Sequence, residues 1–395
     1  VDPRLNPYTP NAGARPAALV GRDAELEAFD VLLARLTRGY TEQSMLITGL
    51  RGVGKTVLLN EFEARARTGG WVSVEAEITK NEEFGRRMAL LARRALLQIA
   101  PRTAWSERMR RAAGVLRSFQ ITVSSEGTLT AGLDVEAQPG IADSGQLSDD
   151  LTDLFVALGE AAREHDTGVA FLIDEVQFLR ASELEALIMA LHKTVQRSLP
   201  VTLVGAGLPQ LPRLAGDAKS YAERLFKFPH IGRLDLEREA PQALTRPAAD
   251  LGVGFHPGAV AAIVEYTEGY PYFIQEYGKI VWNLAPDGDA IGLDSAAAAR
   301  PLVEAKLDES FFRVRTQRIT ELELQYLRVM AGLGHGPFRT GDVAEAMGRR
   351  SEQLGPTRAR LIDKGLLYTP GHGLTAFTVP QFHRYMERTY APDGA

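Results

Sequence analysis

Over roughly the first 240 residues, short unbroken apolar runs alternate with longer stretches of helical period. Residues 45–48, 71–76, 169–173 and 201–204 are runs of the first kind and read as buried strands. A strand apolar on both faces needs cover on both sides, which predicts a parallel sheet between helix layers. Ahead of the first run, Leu26, Phe29, Leu32, Leu33 and Leu36 form one helical face, and Asp23 is placed to open that helix. Helical spacing also follows residue 56 and recurs over about 81–99, 151–164 and 183–198, the last opened by a Ser182/Glu185 capping box. Residues 1–18 are rich in Pro, Asn and Ala and read as extended, and 138–149 as a linker. Phe119, Ile121 and Val123, then Leu129, Leu133 and Val135, alternate with polar residues around Glu126-Gly127. That period predicts a β-hairpin insertion over about 119–137, serving either as a flap or as a subunit or partner contact.

Beyond residue 240 the strand signal fades. Helices are expected near 241–250, 258–267, 271–284 and 294–311, with Pro271 in a favourable first-turn position. Residues 320–390 change again. A Thr320/Glu323 capping box opens a helix to about Met330, two more follow over 340–347 and 351–364, and residues 365–379 read as a hairpin around Pro370-Gly371-His372-Gly373. Three helices and a two-stranded wing are the winged helix-turn-helix layout. The chain therefore divides into 1–240, a helical 241–312 and a C-terminal 313–395.

Composition narrows the chemistry. The 395 residues carry a net charge of −5, so nucleic-acid binding would need a local basic patch. With no cysteine, disulfides and thiolate metal sites are excluded, and the seven scattered histidines form no H-E-x-x-H. No run approaches a membrane span, and the start carries no signal-peptide pattern, so a cytoplasmic protein with no membrane partner is expected. Arg86, Arg87, Arg93 and Arg94 on the 81–99 helix are most simply a solvated face.

The chemistry concentrates in Gly49-Leu50-Arg51-Gly52-Val53-Gly54-Lys55-Thr56-Val57, a complete G-x-x-x-x-G-K-T phosphate loop between a predicted strand and helix. Its glycines admit a close backbone approach, and inward N–H groups and the helix N-terminus surround phosphate oxygens. Lys55 reaches the β- and γ-phosphates, and Thr56 takes Mg²⁺. Asp174 and Glu175, ending the third predicted strand, form the second half of the site. Asp174 serves the metal beside Thr56, and Glu175 orients the attacking water. No Asn-Lys-x-Asp guanine reader is evident, which favours ATP.

These motifs, with Val20-Gly21-Arg22 ahead of the loop, resemble the AAA+ ATPases. The branch is the one shared by origin-recognition-type initiators and STAND signalling ATPases. The resemblance implies an α/β fold: a P-loop parallel-sheet core with an all-helical lid and a C-terminal winged helix. It implies that Val20, Gly21 and Arg22 border adenine, that Pro271 of Gly269-Tyr270-Pro271 packs near the base, and that Arg224 acts as an arginine finger in a neighbouring subunit. An ordinary surface ion pair is the other reading of Arg224. Two departures stand out. The polar sensor after the fourth strand is replaced by Gly205-Ala206-Gly207, and the lid arginine is absent. Both imply slow hydrolysis, hence a switch. Between Arg339 and Arg388 eight basic residues face five acidic ones. Arg358, Arg360 and Lys364 on the third helix and His372 on the wing are the candidate contacts to double-stranded DNA. In the alternative, a STAND-like scaffold, the winged helix packs on its own nucleotide domain or a protein partner.

Overall fold

The computed structural model describes residues 2–80, 83–123, 135–286, 290–317, 319–334 and 336–390. Helix α1 (Asp23–Thr37) leads into β1 (Ser44–Thr48), and α2 (Lys55–Thr68) follows the glycine loop. Next come β2 (Val72–Glu77), α3 (Phe84–Ile99), α4 (Glu107–Val123), α5 (Leu147–Glu164) and β3 (Val169–Asp174). Then α6 (Ala181–Gln196), β4 (Val201–Gly207), α7 (Leu211–Ala218), α8 (Ala222–Leu225) and β5 (Phe226–Lys227) complete this part. The five strands form one parallel sheet in the order β2-β3-β4-β1-β5.

The period of two along each strand assigns the sheet's two faces. Leu46, Val169, Phe171, Ile173, Val201 and Leu203 join a core shared with α3 to α6. Met45, Ile47, Ala170, Leu172, Val204 and Ala206 face the opposite core under α1 and α2. Because β1 and β3 are covered on both sides, their C-terminal ends are held rigidly, and those ends carry the glycine loop and the acidic pair.

The expected hairpin over 119–137 is not formed where it can be seen. Phe119, Ile121 and Val123 are the last turns of α4, whose Met109, Ala112, Ala113, Leu116 and Phe119 recur at helical spacing and are buried. Three alternating residues fit either period, and packing onto the core decides for the helix. Residues 124–134 lie outside the described residues, and 135–137 are not in a strand. Helix α6 also begins two residues early, capped by Glu183, whose carboxylate accepts from the Arg180 N–H at 2.8 Å.

The rest of the chain is mainly helical. It comprises α9 (Glu239–Ala249), β6 (Gly254–Phe255), α10 (Pro257–Thr267), α11 (Pro271–Leu284), β7 (Ala290–Ile291) and α12 (Leu293–Leu307). A π-helical turn, Asp308–Arg313, joins α12 to α13 (Val314–Thr316). Then come α14 (Glu321–Gly332), β8 (Phe338–Arg339), α15 (Thr340–Ala346), α16 (Ser351–Asp363), β9 (Leu367–Tyr368), β10 (Leu374–Phe377) and α17 (Phe382–Thr389). Strand β10 pairs antiparallel with both β8 and β9, so the expected two-stranded hairpin has a third strand. The helical segment and the C-terminal segment share one hydrophobic core. A chain of rings crosses it: Phe273 on α11 meets Phe311 at 5.5 Å, Phe311 meets Phe312 at 5.3 Å, and Phe312 stacks on Tyr385 of α17 at 5.0 Å. No helix among the described residues is long and apolar enough to cross a membrane.

Candidate active site

The loop after β1 turns through left-handed glycines, Gly52 at φ +81° and Gly54 at φ +93°, before α2 begins at Lys55. The Lys55 ammonium donates to the Gly49 and Leu50 carbonyls at 3.0 and 2.8 Å. Burial pushes its pKa down to about 8, against the opposing pull of Glu175 and Asp174. The Thr56 hydroxyl donates to Asp174 at 2.5 Å, which ties the first turn of α2 to the end of β3. Burial raises the Asp174 carboxyl, although the Thr56 hydroxyl and the Glu175 N–H (2.8 Å) both favour its charged form.

Glu175 leaves the strand at φ +56°, a left-handed conformation that costs a non-glycine residue about 1–2 kcal/mol. Its carboxylate accepts from the Gln177 side-chain amide and lies 3.6 Å from the Arg51 guanidinium. The Gln177 carbonyl oxygen accepts from the Leu208 N–H at 3.0 Å. A Cβ on Gly207 would strike that oxygen, so the bare end of β4 makes room for a polar group supplied from beside β3.

One cavity of about 430 Å³ brings most of the candidates together: Val20, Arg22, Arg51 to Val57, Asp174, Glu175 and Pro271. Gly49 and Leu50 do not line it; their carbonyls hold Lys55, which does. Arg22 is satisfied by backbone: its guanidinium donates to the carbonyls of Gly21 (2.7 Å), Gly232 (2.9 Å) and Val53 (3.1 Å), so it braces the loop. Gly21 stands at φ +69°, where an added Cβ would meet the Glu239 carboxylate at 2.6 Å.

Several lining groups lie outside the sequence expectation. The N-terminal stretch is a strap. Thr9 N–H donates to Gln275 of α11 at 3.0 Å, and the Gly13 carbonyl accepts from Asn60 of α2 at 3.0 Å, so the strap crosses the cavity between the helical segment and the core. From α11, Tyr272 N–H donates to the Gly52 carbonyl at 3.2 Å, and its ring stacks on Phe311 at 4.9 Å. Arg315 completes that wall. On this wall Pro271 is the residue that the sequence motif marks, whereas Tyr272, Phe311 and Arg315 carry no motif of their own.

Arg224 is not part of this cavity. It is exposed on α8 beside Gln43, at the N-terminal end of β1 and so at the opposite end of that strand from the loop. The four C-terminal candidates also divide. His372 is exposed in the β9–β10 turn and Arg358 is half-buried on α16. Arg360 and Lys364 instead pair with the fully buried Glu323 carboxylate at 3.1 and 2.6 Å. Burial alone would raise that carboxyl; the bonds from Lys364, the Thr320 N–H and Arg360 outweigh it and hold it low. The end of α16 and the residue after β10 dock on the sheet-bearing part of the chain. Arg51 N–H donates to the Thr378 carbonyl at 3.1 Å, and the Lys80 ammonium donates to the Asp363 carbonyl and lies 3.7 Å from its carboxylate.

Residues 18–204 match the family model of the AAA ATPase domain. This stretch is an AAA+ ATPase domain. Residues 309–386 match a domain of unknown function (DUF8462). No curated protein sequence matches the chain. Among solved structures, the Walker-type ATPase PABY2304 of Pyrococcus abyssi is similar over 94% of this chain and 97% of that one, at 14% identity and a TM-score of 0.54, a likeness of fold. The Holliday-junction branch-migration motor RuvB of Thermotoga maritima (16% identity, 94% and 98% covered, TM-score 0.45) is looser. So is Aeropyrum pernix Orc1 in complex with DNA (16%, 95% and 94%, TM-score 0.44). The AAA+ domain is that of a nucleotide-binding ATPase, and its phosphate loop and acidic pair fit a nucleotide. No group of three metal-ligating side chains occurs among the described residues, so a magnesium ion here would take most ligands from phosphate and water.

Proposed function

We propose that the chain is an ATP-binding switch: residues 1–240 bind ATP with Mg²⁺, 241–312 form the lid, and 313–395 a winged helix that delivers the output. The observation that carries this is the convergence of three parts on one loop. Lys55 and the Thr56–Asp174 pair lie on its inner side, Tyr272 N–H bonds Gly52, and Arg51 N–H bonds Thr378. Phosphates entering there would touch groups that also hold the lid and the C-terminal part. Thr56 and Asp174 would hold the metal, which supplies charge neutralisation on the phosphates. Glu175, held by Gln177 and Arg51, would orient water. That restraint, with no polar side chain on the end of β4, supports slow turnover.

For the output, double-stranded DNA contact rests on the exposed His372 and on Arg358. The second reading, contact with the protein's own nucleotide domain or another protein, is favoured by the docking of Asp363 and Thr378 and by the capture of Arg360 and Lys364 by Glu323. Duplex binding measured against salt, with ADP and with a non-hydrolysable ATP analogue, decides between them. Affinity that appears with the analogue and falls with salt supports DNA output, whereas no binding at low salt with either nucleotide removes it. Loss of nucleotide binding in Lys55→Ala tests the switch itself; unchanged affinity would defeat it.

A further inference from the structure

The strap across the cavity is fastened unequally at its two ends. On the lid side Tyr8 is 2% exposed and belongs to the hydrophobic core of the helical segment. Its hydroxyl donates to the Leu244 carbonyl, and its ring fills the space that Gly278 leaves bare, where a Cβ would stand 2.5 Å from it. The Asn6 amide adds bonds to the Lys279 carbonyl at 2.9 Å and to Asn283 at 2.7 Å. On the α2 side the hold is lighter. The Asn60 amide donates to the Gly13 carbonyl at 3.0 Å, and the exposed Arg15 pairs with Glu61 at 3.0 Å. Single neutral hydrogen bonds and exposed ion pairs are each weak. Between the two ends, residues 9–14 line the cavity, and a Cβ on Gly13 would lie 3.3 Å from the Thr56 methyl. The strap therefore lies against the threonine of the phosphate loop, hinged on the lid and latched on α2.

We propose that this strap is the gate for nucleotide exchange: residues 10–15 swing away from α2, pivoting about Tyr8, to let a nucleotide pass, and then reclose. This rests on the nucleotide reading of the pocket. The latch bonds join protein to protein, not protein to ligand. Breaking them lowers the barrier to passage in both directions and leaves the contacts to the bound nucleotide in place. Loss of a ligand contact behaves differently, because it weakens affinity, mostly through faster dissociation. A gate of this kind sets how long the switch keeps one nucleotide, independently of how tightly it binds.

The test follows fluorescent N-methylanthraniloyl-ADP with Mg²⁺ by stopped flow, in wild type and in the double variant Asn60→Ala/Glu61→Ala. Association and dissociation should both quicken, by about five- to tenfold, with Kd within about threefold. Arg15→Ala breaks the latch from the strap side and leaves α2 untouched; it should quicken both rates in the same sense by a smaller factor. Unchanged rates in both variants overturn the gate. So does faster dissociation matched by an equal loss of affinity, which would make the strap a ligand contact. In either case nucleotide binding at the loop stands. Failure of wild type to bind the labelled nucleotide overturns both.

Discussion

Nucleotide binding at pH 8 should draw protons from solvent, and Lys55 should be their destination. In the free protein burial holds that ammonium at about 8 instead of 10.5. It is then about 90% protonated at pH 7, about half at pH 8 and about 10% at pH 9. Phosphates beside it restore the charged form. Binding should take up about half a proton at pH 8 and little at pH 6.5, and affinity should fall about ninefold, about 1.3 kcal/mol, from pH 7 to pH 9. Phosphate protons titrate near pH 6, below this window. Titration calorimetry in buffers of differing ionisation enthalpy reads the uptake directly. Uptake that stays near zero across pH 7–9, with binding intact, would refute a desolvated Lys55. The same shift has a stability side: the folded state binds fewer protons than the unfolded chain between about pH 8 and 10.5, so the nucleotide-free protein should gain stability as pH rises through that window.

Glu175→Gln should leave nucleotide affinity within about twofold and slow turnover by about 10²-fold or more, read by phosphate release. Arg224→Ala should lower turnover only at protein concentrations where subunits assemble, by up to about 10³-fold; equal rates for dilute wild type and variant, persisting on concentration, would leave Arg224 an ordinary surface residue. Glu323→Ala strips two cations of their shared carboxylate and α14 of its cap. It should cost about 2 kcal/mol in a denaturant melt, less than a fully buried pair because Arg360 is 51% exposed, and it should raise duplex affinity if DNA is the output. Gly21→Ala should destabilise by about 2–3 kcal/mol, because the position needs both a positive φ and the space Glu239 fills.

What could be read from the chain and what could not follow the range of the interactions. Strands β1 to β4 and the loop were legible because burial on both faces forces continuous apolar runs, and phosphate chemistry forces glycines at fixed spacing. The Thr320/Glu323 box places α14 for the same local reason. Helix α4 was not legible, since Phe119, Ile121 and Val123 satisfy two periods and only contact with the core separates them. Strands β5 and β8 are two residues each and exist through their partners. The strap from Asn6 to Arg15 has no period, because its order comes from side-chain bonds to residues far along the chain, such as Asn6 to the Lys279 carbonyl at 2.9 Å. Basic residues on α16 looked alike in sequence; a single buried Glu323, 37 positions before Arg360, sets two of them apart.

The ring chain from Phe273 to Tyr385 bears on how this protein could be dissected. A fragment ending near residue 317 would keep the phosphate loop and α9 to α12, yet leave Phe311 and Phe312 with one side open to water. Such a piece should aggregate or lose its shape, whereas Pro3 to Leu5 at the other end of the chain add no buried side chain to that core. Chimeras that exchange the last 80 residues for those of another protein would need to carry matching rings. The tail is thus one folding unit with the helices beside the cavity, not an interchangeable attachment.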